Sequence, residues 1–360
     1  MHNFLGRSVY LTTFEKQSAS LAAHAAGGAP VFLSLHISEE FSTTYVHRCT
    51  EICHWLAEKG WSILADVSRS TVEQFQQPDL ASLAQALHLW GLRIDDGFTT
   101  KEICALAEKM PVAVNASTIL PEEAAKIAAC GSKVMAMHNF YPRPETGLDE
   151  AFLKESTDRL HQVGLQVLGF IPGDEDLRGP IYSGLPTLEA HRGIAPSAAF
   201  VDMAERFGLE EIFAGDPGVS AFEQSIIQTW CSTGETMIPC TLEPLYESLY
   251  DVTFTCRPDT PAALIRFQES RQYAAQGKPV KPGHTEARPR GAITIDNERY
   301  GRYSGEIQLL RTALPADERV NVIGTVSPKH LLLVDRLTHG GKFRLVRTPT
   351  DRGEETKGLP

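Results

Sequence analysis

A repeated pattern along the first 235 residues constrains the fold more than any other feature. Eight short apolar runs each end in a polar cluster, and a helix-compatible segment follows each one. The runs cover residues 8–15, 31–37, 62–68, 92–98, 112–117, 133–137, 165–172 and 211–216. Strands that alternate with helices imply a parallel sheet. Eight such units match the (β/α)₈ barrel in number and length, so we predict the α/β class with this barrel at residues 1–235.

An open, doubly wound α/β sheet is the alternative fold. It would place a G-x-G-x-x-G turn after its first strand. The sequence there is Thr12-Thr13-Phe14-Glu15, which lacks this turn. We therefore favour the barrel, in which the carboxyl ends of all eight strands meet at one mouth and bring the polar clusters together.

The sequence pattern changes after residue 235. Short strand-like runs follow one another, and turns rather than long helices separate them, at 292–295, 306–310, 320–324, 330–334 and 342–346. We predict a small, mostly-β domain at 236–350, which forms a closed or partly closed barrel, and a polar tail at 351–360.

The composition of the chain limits where the protein is expected to be located and what it is expected to bind. A net charge of −11 argues against nonspecific binding to nucleic acid or to an anionic membrane. No apolar run reaches the length of about eighteen residues that a membrane span needs. The first strand follows the start of the sequence almost directly, which leaves no room for a secretory signal. Seven scattered cysteines, among them Cys104 on a helix face, favour free thiols and a cytoplasmic location.

The segment 138–147 is the most chemically diverse part of the chain. It follows a buried apolar run and presents an imidazole, an amide, a phenol, a guanidinium and a carboxylate, from His138, Asn139, Tyr141, Arg143 and Glu145. Core packing does not need these groups. We therefore predict a binding loop at this strand end.

Asp95 ends the fourth predicted strand, two residues after Arg93. A carboxylate at a barrel mouth can act as a general acid, a general base or a nucleophile. The alternative is an ion pair with Arg93 or a cap for the next helix.

A long loop follows the seventh predicted strand and carries Asp174, Arg178, Glu189 and Arg192. Long loops in compact domains are usually functional. Such a mixture of acids and arginines suits a phosphate site with a catalytic carboxyl, or else a lid held by internal salt bridges.

Amides and carboxylates also end other predicted strands. Together they resemble the sugar-binding ring of a glycosidase, and they comprise Glu39, Asn115, His138, Asn139 and Asp216. A zinc or magnesium site is the alternative, because His and acidic residues also bind these metals. Since the sequence has no H-x-H or H-E-x-x-H motif, we expect neither a metal nor another cofactor.

Several strings resemble the 6-phospho-N-acetylmuramidase family in order along the chain. They are LRIDDGF (92–98), VNAST (114–118), HNFYPRPETGLD (138–149), FIPGDEDLRGP (170–180), GLPTLEAHR (184–192), AGD (214–216), GAITIDNERYGRYSGEIQL (291–309) and RVNVIG (319–324). The resemblance implies a TIM barrel followed by a cyclophilin-like β domain. It also implies a cytoplasmic glycosidase of cell-wall recycling. The partner would be a phosphorylated amino-sugar disaccharide, N-acetylmuramic acid 6-phosphate–N-acetylglucosamine, which the enzyme would split into its two sugars.

With this substrate, a glycosidase needs two carboxyls, or one carboxyl assisted by the 2-acetamido group of the sugar. We predict Asp95 as one essential carboxylate. The candidates for its partner are Glu189 and Asp216, followed by Glu145 and Asp174. Since guanidinium groups bind phosphate and carboxylate bidentately, the predicted anion ligands are Arg143, Arg178 and Arg192. The predicted ligands of sugar hydroxyls are Asn115, His138, Asn139 and Tyr141.

In the second domain, Asn297, Tyr300 and Arg302 form a dense polar cluster. We expect it to line the pocket or to make a homodimer contact; a solvated turn is the alternative. The sequence departs from the family pattern at Asp96, where we expect an aromatic residue, and at Ser38, where we expect proline, so a different phosphosugar stays open. Two other functions also stay open: a metal-dependent phosphosugar lyase or aldolase, and a noncatalytic sugar-phosphate-binding protein.

Overall fold

The structure is a computed structural model that describes residues 5–24, 30–35, 44–95, 97–131, 133–270 and 280–349. The chain divides into two compact units, Met1–Cys231 and Ser232–Pro360. In the first unit, eight parallel strands form a closed barrel in sequence order, and β8 pairs with β1. Strands β1–β8 are Leu5–Val9, Pro30–Ser34, Ser62–Val67, Gly91–Ile94, Val112–Asn115, Val134–Met137, Gln166–Ile171 and Glu211–Ala214. The predicted barrel is confirmed.

Helices connect the strands of the barrel. Helices α1–α9 are Phe14–His24, Tyr45–Glu58, Arg69–Gln74, Leu80–Ala86, Thr100–Ala107, Pro121–Ala128, Glu150–Gln162, Pro196–Asp202 and Ala221–Thr233. A capping box of Thr99 and Glu102 starts α5, and a proline at the first position starts α6. Within the described residues, no helix is both long enough and apolar enough to span a bilayer.

Aromatic side chains close the interior of the barrel. Phe32 packs edge-to-face against Phe170, with ring centroids 5.0 Å apart, and Phe140 packs on Phe170 at 5.1 Å. Such a barrel is a packed core and not a pore. Because side chains alternate along a strand, a residue two positions beyond an inward-facing one points into the mouth. Asp66, two residues after the core residue Leu64, is in this position.

The second unit contains a seven-stranded sheet with the order β10-β15-β9-β14-β12-β13-β11. Strands β9–β15 are Thr236–Leu242, Thr253–Thr255, Leu264–Arg266, Ala292–Asp296, Ile307–Leu310, Val320–Val326 and Lys342–Arg347. A bridge between Cys256 and Phe267 joins the ends of the two edge strands, β10 and β11. The sheet therefore curls toward closure, as predicted for a mostly-β domain.

Two expectations are wrong. The predicted strand at 330–334 is helical, as a 3-10 turn at Pro328–His330 followed by an α-helix at Leu331–Arg336. Three successive leucines favour a helix, and Leu333 and Val334 pack into the core from it. The expectation of free thiols fails for Cys104 and Cys130, which form a disulfide between α5 and the residues after α6. The packing of neighbouring helices brings them together, and their separation in sequence gives no sign of it.

Candidate active site

A charged cluster occupies the barrel mouth at the ends of β3, β4 and β6. Arg93 Nη1 lies 2.5 Å from Asp66 Oδ1 and 3.3 Å from Asp95 Oδ1, and Nη2 donates to Asn139 Oδ1. The strand register explains the contact with Asp66, because Asp66 pairs directly with Arg93 across β3 and β4. Asp95 is two residues after Arg93 and shares its face. The ion pair with Arg93, which was the alternative to a catalytic role for Asp95, is therefore present, and the catalytic role itself stays a prediction.

Exposure distinguishes the members of this cluster. The side chain of Arg93 is 3% exposed and that of Asp66 is 10% exposed, whereas Asp95 is 31% exposed. Asp66 also accepts a 3.4 Å hydrogen bond from Ser34 Oγ. Asp95 is thus the carboxylate of the cluster that a bound molecule can reach, and Arg93 holds it in place from below.

Asn115, Ser117 and His138 form a chain of hydrogen bonds beside the cluster. Asn115 Oδ1 accepts from the Ser117 amide at 3.0 Å, and Ser117 Oγ lies 2.9 Å from His138 Nδ1. His138 is 0% exposed, and its Nε2 has no hydrogen-bond partner among the residues that the structure describes. Burial lowers the pKa of His138 to about 3, so the imidazole is neutral. This burial favours a structural role for His138 over the predicted contact with sugar.

The buried His138 predicts acid sensitivity of the fold. In the unfolded chain the pKa of His138 returns to about 6.5. At a pH between the two pKa values, the imidazole is therefore protonated in the unfolded state and neutral in the folded state. The contribution of neutral His138 to the free energy of unfolding is therefore fully present above about pH 6.5. It decreases by about 1.4 kcal/mol per pH unit as the pH falls toward 3. Denaturant titrations at pH 7.5, 6 and 5 measure this slope, and His138→Gln is expected to flatten it. An unchanged slope in the variant would assign the acid sensitivity to other groups.

Glu189 and Arg192 hold the loop that follows β6. The carboxylate of Glu189 accepts from the amides of Glu145 at 2.9 Å and Gly147 at 2.8 Å, and it binds Arg192 through two nitrogens. The Arg192 hydrogen bonds, followed by these backbone donors, lower the pKa of Glu189 to about 2. Arg192 also donates to the carbonyls of Gly184 and Tyr141, each at 2.9 Å. Both side chains are thus occupied within the protein.

The rest of this loop presents its side chains outward. Tyr141 is half-buried, and its amide donates to the Pro186 carbonyl at 3.0 Å. Arg143 and Glu145 are exposed. The structure therefore leaves these side chains accessible to a ligand, and their binding roles stay predictions.

Asp216 organises the long loop after β7. It is 1% exposed, and its two oxygens accept from the amides of Gly173 at 2.9 Å, Leu185 at 2.9 Å and Arg178 at 3.0 Å. Burial raises the pKa of Asp216 even though these three amides oppose the shift. Its predicted role as the second catalytic carboxyl stays untested, but all of these contacts go to backbone.

Two more of the predicted site residues, Asp174 and Arg178, lie in this loop. Asp174, which is exposed, accepts from the Ser220 amide at 2.8 Å, just before α9. The guanidinium of Arg178 stacks 4.5 Å from the centroid of the Tyr10 ring. Glu39, like Ser38 and Asp96, lies outside the described residues.

The polar cluster of the second unit is partly structural. Asn297 is buried, and its amide donates to the Glu318 carbonyl at 2.9 Å and to Asn321 Oδ1 at 2.8 Å. Tyr300 stacks under Arg319, and the exposed Arg302 contacts Tyr303. A substrate or dimer role for Asn297, Tyr300 and Arg302 stays a prediction.

Asp66 was not among the site residues predicted from the sequence. It could have been recognised as an acidic residue in an apolar strand, two positions after Leu64 and therefore on the same inward-facing side. A buried charge of this kind needs a partner, and the neighbouring strand supplies Arg93. Among the described residues, no three His, Cys, Asp or Glu side chains are placed to hold a metal ion.

Comparisons with known proteins agree with this architecture. Residues 5–229 match the family described as "6-phospho-N-acetylmuramidase, N-terminal", and residues 238–346 match its "C-terminal" counterpart. The crystal structure of a conserved Enterococcus faecalis protein is 34% identical, with a TM-score of 0.81 over 96% of each chain. A B. cereus protein is 23% identical, with a TM-score of 0.76 over 96% of this chain and 100% of that one, and shows the same fold. No curated protein matches significantly. From the two matches that together span both units, the chain belongs to the 6-phospho-N-acetylmuramidase family.

Proposed function

We propose that this protein hydrolyses N-acetylmuramic acid 6-phosphate–N-acetylglucosamine to N-acetylmuramic acid 6-phosphate and N-acetylglucosamine. The family matches support a glycosidase that acts on a phosphorylated amino sugar. The observation that carries the proposal is the accessible carboxylate of Asp95, which Arg93 holds at the barrel mouth. Catalytic residues of this fold lie at the carboxyl ends of the strands, where Asp95 lies. We propose that the reaction belongs to cell-wall recycling and takes place in the cytoplasm. We also propose that the second domain is cyclophilin-like.

The residues of the cluster have different proposed roles. Asp95 would contact the sugar at the bond that breaks, and would transfer a proton to or from the reacting oxygen. Arg93 and Asp66 would position it, since both are buried and paired with each other. Asn139 receives a hydrogen bond from Arg93 and would orient a sugar hydroxyl with its amide nitrogen.

The surroundings of Glu189 and Asp216 favour a route assisted by the substrate. The carboxylates of both residues accept hydrogen bonds from backbone amides, so their oxygens are not directed at a ligand. The 2-acetamido group of N-acetylmuramic acid can replace a second carboxyl as the internal nucleophile. Since water then attacks the intermediate from the face that the leaving group has vacated, the product keeps its anomeric configuration.

The test is turnover of the synthetic disaccharide by the purified protein. We expect mass spectrometry to show the two sugars, and early proton NMR spectra to show a retained anomer before it equilibrates. Products other than these two would indicate a different reaction, such as a lyase or aldolase step, and sensitivity to a chelator would favour that reading. Binding of the disaccharide without turnover would support the alternative that the protein is a noncatalytic sugar-phosphate-binding protein.

A further inference from the structure

A cavity of about 670 Å³ opens between the segment after β1, the start of α1 and the long loop after β7. This volume lies within the range of about 300–1,000 Å³ that is typical of small-molecule sites. Its lining includes Thr12, Thr13, Lys16, Arg178 and Tyr182. We propose that this cavity binds the 6-phosphate of the substrate. This inference rests on the proposed function, since it names the part of the barrel that would select the phosphorylated sugar.

The position of Arg178 is fixed at both ends. Its backbone amide donates to the buried carboxylate of Asp216 at 3.0 Å. Its guanidinium stacks 4.5 Å from the ring centroid of Tyr10, and the Tyr10 hydroxyl donates to the Gly215 carbonyl. Stacking uses the flat face of a guanidinium and leaves its N–H groups at the edge free to point elsewhere. Arg178 therefore presents a fork of donors of the kind that binds phosphate bidentately.

Lys16 supplies a second positive charge from α1. It is exposed, and neither Lys16 nor Arg178 forms an ion pair with any residue that the structure describes. Among the residues that the structure describes, Asp176 is the single acidic residue on the cavity wall, so the two cations outnumber it. Most arginines elsewhere in the barrel, such as Arg93 and Arg192, are paired with carboxylates. A cavity with two cations that lack such partners favours an anionic ligand.

The other polar groups suit a phosphate rather than a planar carboxylate. Tyr182 also lines the cavity, and its phenol can donate to an anion, whereas the hydroxyl of Thr13 on the same wall donates to Gln17 Oε1 at 3.0 Å. Helix α1 begins at Phe14, directly after Thr13, and the positive end of its dipole favours negative charge at this position. A dianionic phosphate with three acceptor oxygens uses these donors better than the lactyl carboxylate does.

The experiment separates phosphate recognition from catalysis. We expect Lys16→Gln and Arg178→Gln each to lower kcat/KM for the phosphorylated disaccharide at least about tenfold. Slow turnover of the disaccharide without phosphate is expected to stay unchanged, so the ratio of the two values falls. The matched control is Lys101→Gln, which removes an exposed lysine of α5 and is expected to change neither value. An equal loss on both substrates, or no loss on either, would overturn the proposal.

Direct binding distinguishes a failure of this inference from a failure of the proposed function. Calorimetry with N-acetylmuramic acid 6-phosphate, N-acetylglucosamine 6-phosphate and unphosphorylated N-acetylmuramic acid does not require turnover. The proposal holds if both phosphosugars bind the wild type and lose affinity in the two variants. If the variants instead lose affinity for N-acetylmuramic acid, the cavity binds the lactyl carboxylate and the phosphate assignment is wrong. If the protein binds the phosphosugars through this cavity but cleaves nothing, the hydrolase proposal alone fails.

Discussion

Asp95→Asn is expected to lower kcat/KM for the phosphorylated disaccharide by about 10²–10⁴-fold, the typical contribution of a positioned acid or base. Asparagine has nearly the same shape as aspartate and can still accept from Arg93, but it cannot exchange a proton. The buried Arg93 keeps its ion pair with Asp66, so the substitution leaves no buried charge without a partner. Initial rates at several substrate concentrations, with denaturant unfolding in parallel, measure activity and stability separately.

The control for this variant is Glu155→Gln. Glu155 is an exposed carboxylate on α7 that pairs with Arg159 at 3.6 Å, a contact of little energetic value at the surface. The Glu155→Gln variant is expected to match the wild type in kcat/KM and in the free energy of unfolding. A normal kcat/KM in Asp95→Asn would contradict the catalytic assignment. A loss of activity accompanied by a large loss of stability would instead show that Asp95 acts by holding Arg93.

Register and side-chain alternation explain why Asp95, and not another carboxylate at a strand end, is the best candidate. Arg93 and Asp95 lie on the same face of β4, and the inward direction of that face brings both into the mouth. Asp216 lies two residues beyond the end of β8, and both of its oxygens are taken up by backbone amides of the long loop after β7. The same alternation places Asn139 in the mouth and buries its neighbour His138.

The barrel was predictable from sequence because its signal is periodic and local. Each strand is apolar, each turn is polar, and the count of eight leaves few alternatives. In the second unit the strand-rich pattern was also readable, but the run 330–334 was not. A short apolar run fits a buried strand and one face of a helix equally well, and packing of Leu333 and Val334 decides between them.

The candidate site was predictable in composition but only partly in geometry. The sequence indicates which strand ends carry acids, amides and arginines. It does not indicate that Glu189 accepts from Glu145 and Gly147, since such contacts depend on how two loops pack. Nor does it give the strand register that sets Asp66 beside Arg93. Long-range pairing therefore decides which charged residues are structural and which are available for chemistry.

The second large effect is expected at Asp216. Asp216→Ala removes the acceptor of three amides in a site that is 1% exposed. Each buried amide left without a partner costs about 1–3 kcal/mol, so we expect the free energy of unfolding to fall by about 3–5 kcal/mol. The loop that carries Arg178 would lose its anchor, and activity would fall with stability. Denaturant unfolding and limited proteolysis between residues 173 and 185 measure the two consequences.

Asp216→Asn separates this structural role from the catalytic role that the sequence also allowed. Asparagine keeps the shape and one acceptor oxygen, and it removes a charge whose burial is costly, as the raised pKa of Asp216 indicates. If Asp216 is a structural anchor, Asn is expected to cost about 1–2 kcal/mol of stability and to keep activity within about tenfold. If Asp216 is the second catalytic carboxyl, Asn would abolish turnover while the fold stays intact, because a raised pKa also suits a proton donor. The backbone partners of both oxygens favour the first outcome, since a carboxyl that holds three amides in place cannot also turn toward the substrate.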